Sequence, residues 1–295
     1  MRDTFSIYAR ELRERIDASL DSLLTNTEDN TGLIDAMRYS LLNGGKRVRP
    51  LLVYASAQAV NPLISLAELN PIAASVEALH SYSLVHDDLP AMDDDDLRRG
   101  KPTCHIAFGE ANAILAGDGL QTFAFDLLAN AHFCAEVRIS LIKTLAQGAG
   151  HRGMVLGQAI DLASVDKHIS LDALQNMHTH KTGALICAAA IMGAVAANAS
   201  SLQIEAITRY ARAIGLAFQV QDDILDVTGE TQLLGKQQGA DAIRNKPTYV
   251  SHLGLEGAQQ KLCDLFDEAI TALDIFDENA DSLRALAKYI IERSN

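Results

Sequence analysis

The sequence predicts an all-α protein folded as one domain, on three observations. The 295-residue chain holds only six prolines, about 2% against a usual ~5%, and it is rich in Ala and Leu, both strong helix formers. Its apolar residues recur at three- and four-residue steps along most of its length. No run alternates apolar and polar residues well enough to be a convincing strand.

The elements follow in order. From Phe5 to Leu24, the residues Tyr8, Leu12, Ile16, Leu20 and Leu23 keep the helical step of a segment packed on one side. This opening mixes charged and apolar residues and lacks the continuous apolar core of a signal peptide. The same stepping predicts helices near 33–42, 49–60, 71–89, 108–133, 135–148, 152–163, 171–178, 183–197, 202–227, 256–274 and 280–293, joined by short turns. Gly183 to Ala197 is the most apolar stretch, but a membrane span needs about 20 predominantly apolar residues, and its small Ala and Gly side chains suit a tightly packed internal helix. No Pro/Ser-rich linker, compositional break or solenoid repeat divides the chain, so one domain over residues 1–295 is expected.

Composition narrows the function. Hydrophobic residues make up 48% of the chain, which excludes global disorder. Acidic residues outnumber basic ones 38 to 25, giving a net charge of −13. That balance argues against sequence-independent nucleic-acid binding and against a polybasic membrane anchor. The scattered cysteines Cys104, Cys134, Cys187 and Cys263 form no C-x-x-C pair and read as free thiols of a cytoplasmic protein without membrane insertion.

The acidic charge is concentrated. In HDDLPAMDDDD, six of the ten residues from Asp87 to Asp96 are Asp, and QDDILD carries Asp222, Asp223 and Asp226. Asp222 and Asp226 stand one helical turn apart on one face. Pro90 breaks the winding after Asp87 and lets Asp93 fold back toward it. Converging carboxylates repel by about 4 kcal/mol per close pair at an effective dielectric of ~20, so a site built from them needs cations. Mg²⁺ characteristically bridges one or two carboxylates to substrate phosphates. Basic residues gather nearby to hold the remaining phosphate oxygens: Lys46, Arg47 and Arg49 in GGKRVRP, Arg98, Arg99 and Lys101 in DLRRGKP, then Lys181, Lys236 and Lys246. Neither Asp cluster has the EF-hand pattern, and no G-x-x-x-x-G-K-[ST] loop is present.

Six collinear segments carry a resemblance: GGKRVRP at 44–50, HSYSLVHDDLPAMDDDDLRRGKPT at 80–103, GMVLGQAIDL at 153–162, KTGAL at 181–185, FQVQDDILD at 218–226 and GKQQGADAIRNKPTYV at 235–250. With them the chain resembles the trans-prenyl diphosphate synthases, and within that family the bacterial farnesyl type. The resemblance implies an isoprenoid synthase fold, a bundle of long helices around a central cavity, normally a homodimer. It implies Mg²⁺, three ions with bound diphosphate and Mn²⁺ as the alternative, on Asp87 and Asp93 with Asp88 in support, and on Asp222 aided by Asp223 or Asp226. Arg98, Lys181, Lys236 and Lys246 resemble the grips on an allylic diphosphate, dimethylallyl or geranyl. Lys46, Arg49, His80 and Arg99 resemble a metal-free site for isopentenyl diphosphate.

The implied reaction joins these substrates head to tail. The allylic C–O bond ionises, the double bond of isopentenyl diphosphate attacks the cation, and a proton leaves with the released diphosphate. In the family, oxygens of Thr182 and Gln219 face that cation beside Lys181. Tyr82, with small Ser83 next to it, lies about one and a half turns before Asp87, where a bulky aromatic stops growth at fifteen carbons; a twenty-carbon geranylgeranyl product is the alternative. Gln158 and Asp161 read equally as partners of the site or as buried polar groups. Arg293 either folds over the isopentenyl site or extends into solvent. A terpene cyclase, a non-catalytic prenyltransferase subunit and a helical phosphohydrolase are the competing readings. DDILD with the paired basic site favours chain elongation over a cyclase, both aspartate motifs being intact disfavours the non-catalytic subunit, and the two-site basic pattern disfavours the phosphohydrolase.

Overall fold

A computed structural model describes residues 2–25, 29–165, 167–228 and 247–293. Its elements are almost all helices, as expected: α1 (Arg2–Leu23), α2 (Leu33–Leu41), α3 (Val48–Val60), α4 (Leu66–Asp87), α5 (Cys104–Phe108), α6 (Glu110–Ala129), α7 (Ala135–Ala149), α8 (Met154–Ser164), α9 (Leu171–His178), α10 (Ala184–Ala196), α11 (Ser201–Thr228), α12 (Tyr249–Ala272) and α13 (Asp281–Glu292). The chain divides into two compact units, Arg2–Tyr54 with Ile64–Lys143 and Ala55–Leu63 with Thr144–Asn295.

In the first unit, α4 is the central element. Every residue from Ile72 to Leu79 is buried, so the helix is enclosed on all sides rather than on one stripe. Ile16 and Leu20 of α1, Leu41 of α2, Leu52 and Tyr54 of α3, and Leu120 and Leu128 of α6 complete this core. Each such aliphatic side chain contributes about 1.5–3 kcal/mol on burial. Close approach to α6 needs Gly117, where a Cβ would lie 2.1 Å from the His86 ring.

The differences from expectation have local causes. The 71–89 helix starts a turn earlier, at Leu66, and accepts Pro71 within it. The expected 108–133 helix is the shorter α6, Glu110–Ala129, and Gly109 at φ 83° separates it from α5, a short helix before it that the sequence pattern does not show. A small sheet exists after all: β1 (Leu97–Arg98) pairs antiparallel with β2 (Lys101–Pro102). Arg99 and Gly100, at φ 55° and 75°, make the two-residue turn that such a hairpin demands. Two-residue strands are too short to show alternation.

In the second unit, α10 buries eight of its residues, including Leu185, Ile186 and Met192, in keeping with an internal helix. Leu171–Ala196 is the one run among the described residues long and apolar enough to cross a membrane, and half of its apolar window is buried within the protein. The long α11 packs on α12 through Leu216, Val220, Ile224, Tyr249, Ala258 and Leu262. α12 begins before the expected 256, because Thr248 and Ser251 form a reciprocal cap and Gly254, at φ 70°, absorbs the kink that follows.

Candidate active site

Within the first unit, α4 carries His80, Tyr82, Ser83 and Asp87 and delivers Asp88 at its end. The Asp88 amide donates to the Leu84 carbonyl at 3.0 Å, and the Asp93 amide reaches back to the Asp87 carbonyl at 2.9 Å. The turn through Pro90 thus returns Asp93 to the helix end, as the proline predicts. Asp87 and Asp93 are half-buried, whereas Asp88 is buried.

Asp88 and Arg98 form one unit. Arg98 Nε donates to both Asp88 oxygens at 2.8 Å, a second guanidinium nitrogen also binds Oδ1, and Asp95 lies 3.7 Å away. Burial lifts the Asp88 pKa and Arg98 draws it back only in part. For Arg98 burial works against the charge, but Asp88 with Asp87 and Asp95 outweighs it and the pKa stands above the ordinary value.

Next to this arm lies a basic cluster. Gly44, Gly45 and Arg47 all have positive φ, at 78°, 120° and 51°. A Cβ on Gly45 would come within 2.7 Å of the Arg99 guanidinium, which donates to the Gly44 carbonyl. At φ 120° Gly45 holds a backbone conformation that glycine favours, and its lack of a Cβ lets the Arg99 side chain cross the turn. Burial, with the charge of Arg99 and against that of Glu77, lowers the Arg49 pKa to about 10, and Arg49 Nε is buried without a hydrogen-bond partner. His80 is pushed well below its ordinary value, first by burial and then by Arg49, Arg99, Arg98 and Arg47. A neutral imidazole, converging cations and an unpartnered donor make a cradle for a multivalent anion. Lys46 lies half-buried on the same turn.

Further along α4, the Tyr82 ring packs edge-on against His86 at 5.1 Å. Burial, with Asp118, raises its phenol pKa. Ser83 donates to the His80 carbonyl at 2.7 Å.

In the second unit, Lys181 and Thr182 sit in a π-helical turn, Thr179–Gly183, between α9 and α10. Such bulges commonly mark functional positions. α8 meets this turn at Gly157, where a Cβ would lie 1.9 Å from the Lys181 backbone nitrogen, and α11 approaches Gly183 through Gly215. Lys181 Nζ pairs with Asp161 Oδ2 at 2.6 Å. Gln158 is half-buried one turn earlier on α8.

On α11, Gln219, Asp222 and Asp226 are half-buried. Asp223 is buried and accepts the Tyr249 amide at 2.6 Å, so it supports the start of α12. Arg293 is buried. Its guanidinium lies over the Phe218 ring at 4.0 Å, donates to the Phe218 carbonyl and pairs with Asp222 at 2.7 Å. Lys236 and Lys246 lie outside the described residues.

The sequence singled out neither Glu77 nor His178, and it took Arg47 only as one of the basic neighbours. Arg47 and Glu77 form a buried pair thirty residues apart, and no short-range pattern marks it. Glycines inside otherwise helical segments, such as Gly157 and Gly215, are a legible signal of close backbone approach.

The Asp motifs suit Mg²⁺ by donor chemistry, since they offer hard carboxylate oxygens. Among the described residues no three ligating side chains converge into a self-sufficient metal site.

Known proteins share this frame. The chain belongs to the polyprenyl synthetase family, whose model matches residues 30–287. It is 53% identical to the farnesyl diphosphate synthase of Escherichia coli over 273 residues, 90% of each chain. To the farnesyl diphosphate synthase of Haemophilus influenzae it is 49% identical over 295 residues, 99% of each chain. A geranyltransferase from Helicobacter pylori, solved with magnesium and isoprenyl diphosphate, superimposes with a TM-score of 0.87 at 35% identity over 97% of each chain.

Proposed function

We propose that the protein is a prenyltransferase that makes farnesyl diphosphate, condensing isopentenyl diphosphate with dimethylallyl and then geranyl diphosphate. The observation that carries this reading is the basic cluster of Arg49, His80 and Arg99 beside the carboxylate arm of Asp87 and Asp93 in one unit. One group suits a metal-borne diphosphate and the other a diphosphate held by cations alone. The near-complete alignment with two farnesyl diphosphate synthases supports the same reaction.

Asp87 and Asp93, with Asp88 fixed by Arg98, hold Mg²⁺, as do Asp222 and Asp226; three ions with diphosphate is the stoichiometry, and Mn²⁺ the alternative ion. Bound Mg²⁺ offsets the charge that develops on a leaving diphosphate. Arg98, Lys181, Lys236 and Lys246 orient the allylic diphosphate. Lys46, Arg49, His80 and Arg99 hold isopentenyl diphosphate so that its double bond faces the allylic carbon, an effect of positioning rather than of covalent catalysis. Thr182 and Gln219 present weakly nucleophilic oxygens to the allylic cation, and Tyr82 with Ser83 sets product length. The family match spans both units, which supports a single catalytic domain over 1–295. We place the enzyme in the cytoplasm as a homodimer, with no nucleic-acid partner.

Release of inorganic diphosphate tests the reaction class. It should require geranyl diphosphate and isopentenyl diphosphate together. Equal release from geranyl diphosphate alone would instead establish a cyclase or a hydrolase.

A further inference from the structure

The buried pair Arg47–Glu77 has no part in the roles above. Arg47 lies between Lys46 and Arg49 in sequence, yet its side chain is 1% exposed and that of Glu77 is 3% exposed. Arg47 donates through Nη1 to Glu77 at 2.7 Å, through Nε to Asp17 at 2.9 Å and through Nη2 to the Leu41 carbonyl at 2.9 Å. One guanidinium therefore ties α1, the end of α2 and α4 to the turn that bears the basic residues.

That turn needs a tie. Arg47 sits at φ 51°, in the left-handed region that a non-glycine residue holds only where its surroundings over-determine it. Two residues with positive φ, Gly44 and Gly45, precede it closely. Without the guanidinium bonds, nothing in its own side chain would keep Arg47 there, and Lys46 would move with it.

Glu77 acts beyond Arg47. It stands three residues before His80 on α4, hence on nearly the same face. Its carboxylate favours the charged form of both Arg49 and Arg99, against the repulsion of Arg99 on Arg49 and of Arg47 and Arg98 on Arg99. A bare buried carboxylate there would repel an anion as well as cost desolvation. Arg47 supplies the compensating charge at hydrogen-bond distance.

We propose that the Arg47–Glu77 pair is a positioning element of the metal-free diphosphate site: it holds in binding shape the turn that bears Lys46, presents the Gly44 carbonyl to Arg99 and leads into Arg49 at the start of α3, before substrate arrives. The inference rests on the reading of that cluster as the isopentenyl diphosphate site. Neither residue touches substrate; both act through Lys46, Arg49 and Arg99.

The double variant Arg47→Met/Glu77→Leu separates positioning from fold support. Replacing a buried ion pair by apolar side chains of similar size is often neutral or stabilising, whereas removing one partner is not. Three quantities are measured on the full chain: the Tm, the KM for each substrate with the other saturating, and the metal-free Kd for isopentenyl diphosphate by calorimetry. The expected result is a Tm within about 5 °C of the parent, KM and Kd for isopentenyl diphosphate raised at least about tenfold, and KM for geranyl diphosphate changed by less than about twofold. A double variant that binds isopentenyl diphosphate as the parent does, or whose two KM values rise together, overturns the proposal. Should the double variant melt much lower, Glu77→Gln gives the same comparison, because the amide oxygen still accepts from Arg47 without its charge. At least about a threefold selective rise in the isopentenyl KM is then expected, and an unchanged KM overturns the proposal. A parent protein that neither binds nor consumes isopentenyl diphosphate overturns the underlying reading instead.

Discussion

At the scale of single residues, neighbouring aspartates stand in different surroundings. Asp88 is buried and bound by Arg98, while Asp87 is half-buried at the tip of α4 with Asp93 folded back against its carbonyl. Asp87→Ala should therefore lower turnover by about 10²–10³-fold or more, with the far-ultraviolet dichroism and Tm near the parent's. Full activity in that variant would remove the metal assignment. Tyr82→Ala should shift the product from fifteen carbons toward twenty or more, as read by chromatography; an unchanged farnesyl product would refute its role as the floor. The Asp arm was legible because Pro90 and the run of carboxylates are local. The pairing of Asp222 with Arg293 was not, since a C-terminal arginine carries no mark of where it folds.

At the scale of elements, the helical rows were legible and their exact joints were not. The apolar stepping of residues such as Leu12, Ile16 and Leu20 survives into the core. The π-turn at Thr179–Gly183 does not follow from propensity, because it depends on α8 and α11 pressing glycines against it. Gly157→Ala tests that dependence. The added methyl would lie 1.9 Å from the Lys181 nitrogen and 2.4 Å from its Cα, so backbone must shift. Overpacking of this kind costs about 1–3 kcal/mol. A drop of several degrees in Tm together with a fall in turnover of at least about tenfold is expected. Parent-like values for both would show that the turn tolerates the shift and does not position Lys181.

At the scale of the whole molecule, buried histidine couples stability to pH. Burial lowers the His178 pKa to about 4, with Asp161 and Lys181 adding opposing effects, and its ring stacks on Tyr249 at 5.8 Å. In the unfolded chain it titrates near ~6.5. The unfolded state thus binds more protons between these values, and stability is full above the unfolded pKa and falls as pH drops toward the folded one. The loss between pH ~8 and ~5 is about 2 kcal/mol from this residue. Urea midpoints of the parent should fall over that range more steeply than those of His178→Leu; equal slopes would contradict the assignment.

The central claim is chain elongation to fifteen carbons, and one measurement reaches it directly. The protein is incubated with Mg²⁺, isopentenyl diphosphate and either dimethylallyl or geranyl diphosphate, and the dephosphorylated products are separated by length. The account predicts a fifteen-carbon product from both primers, and none once the metal is chelated. Failure to elongate either primer would contradict it.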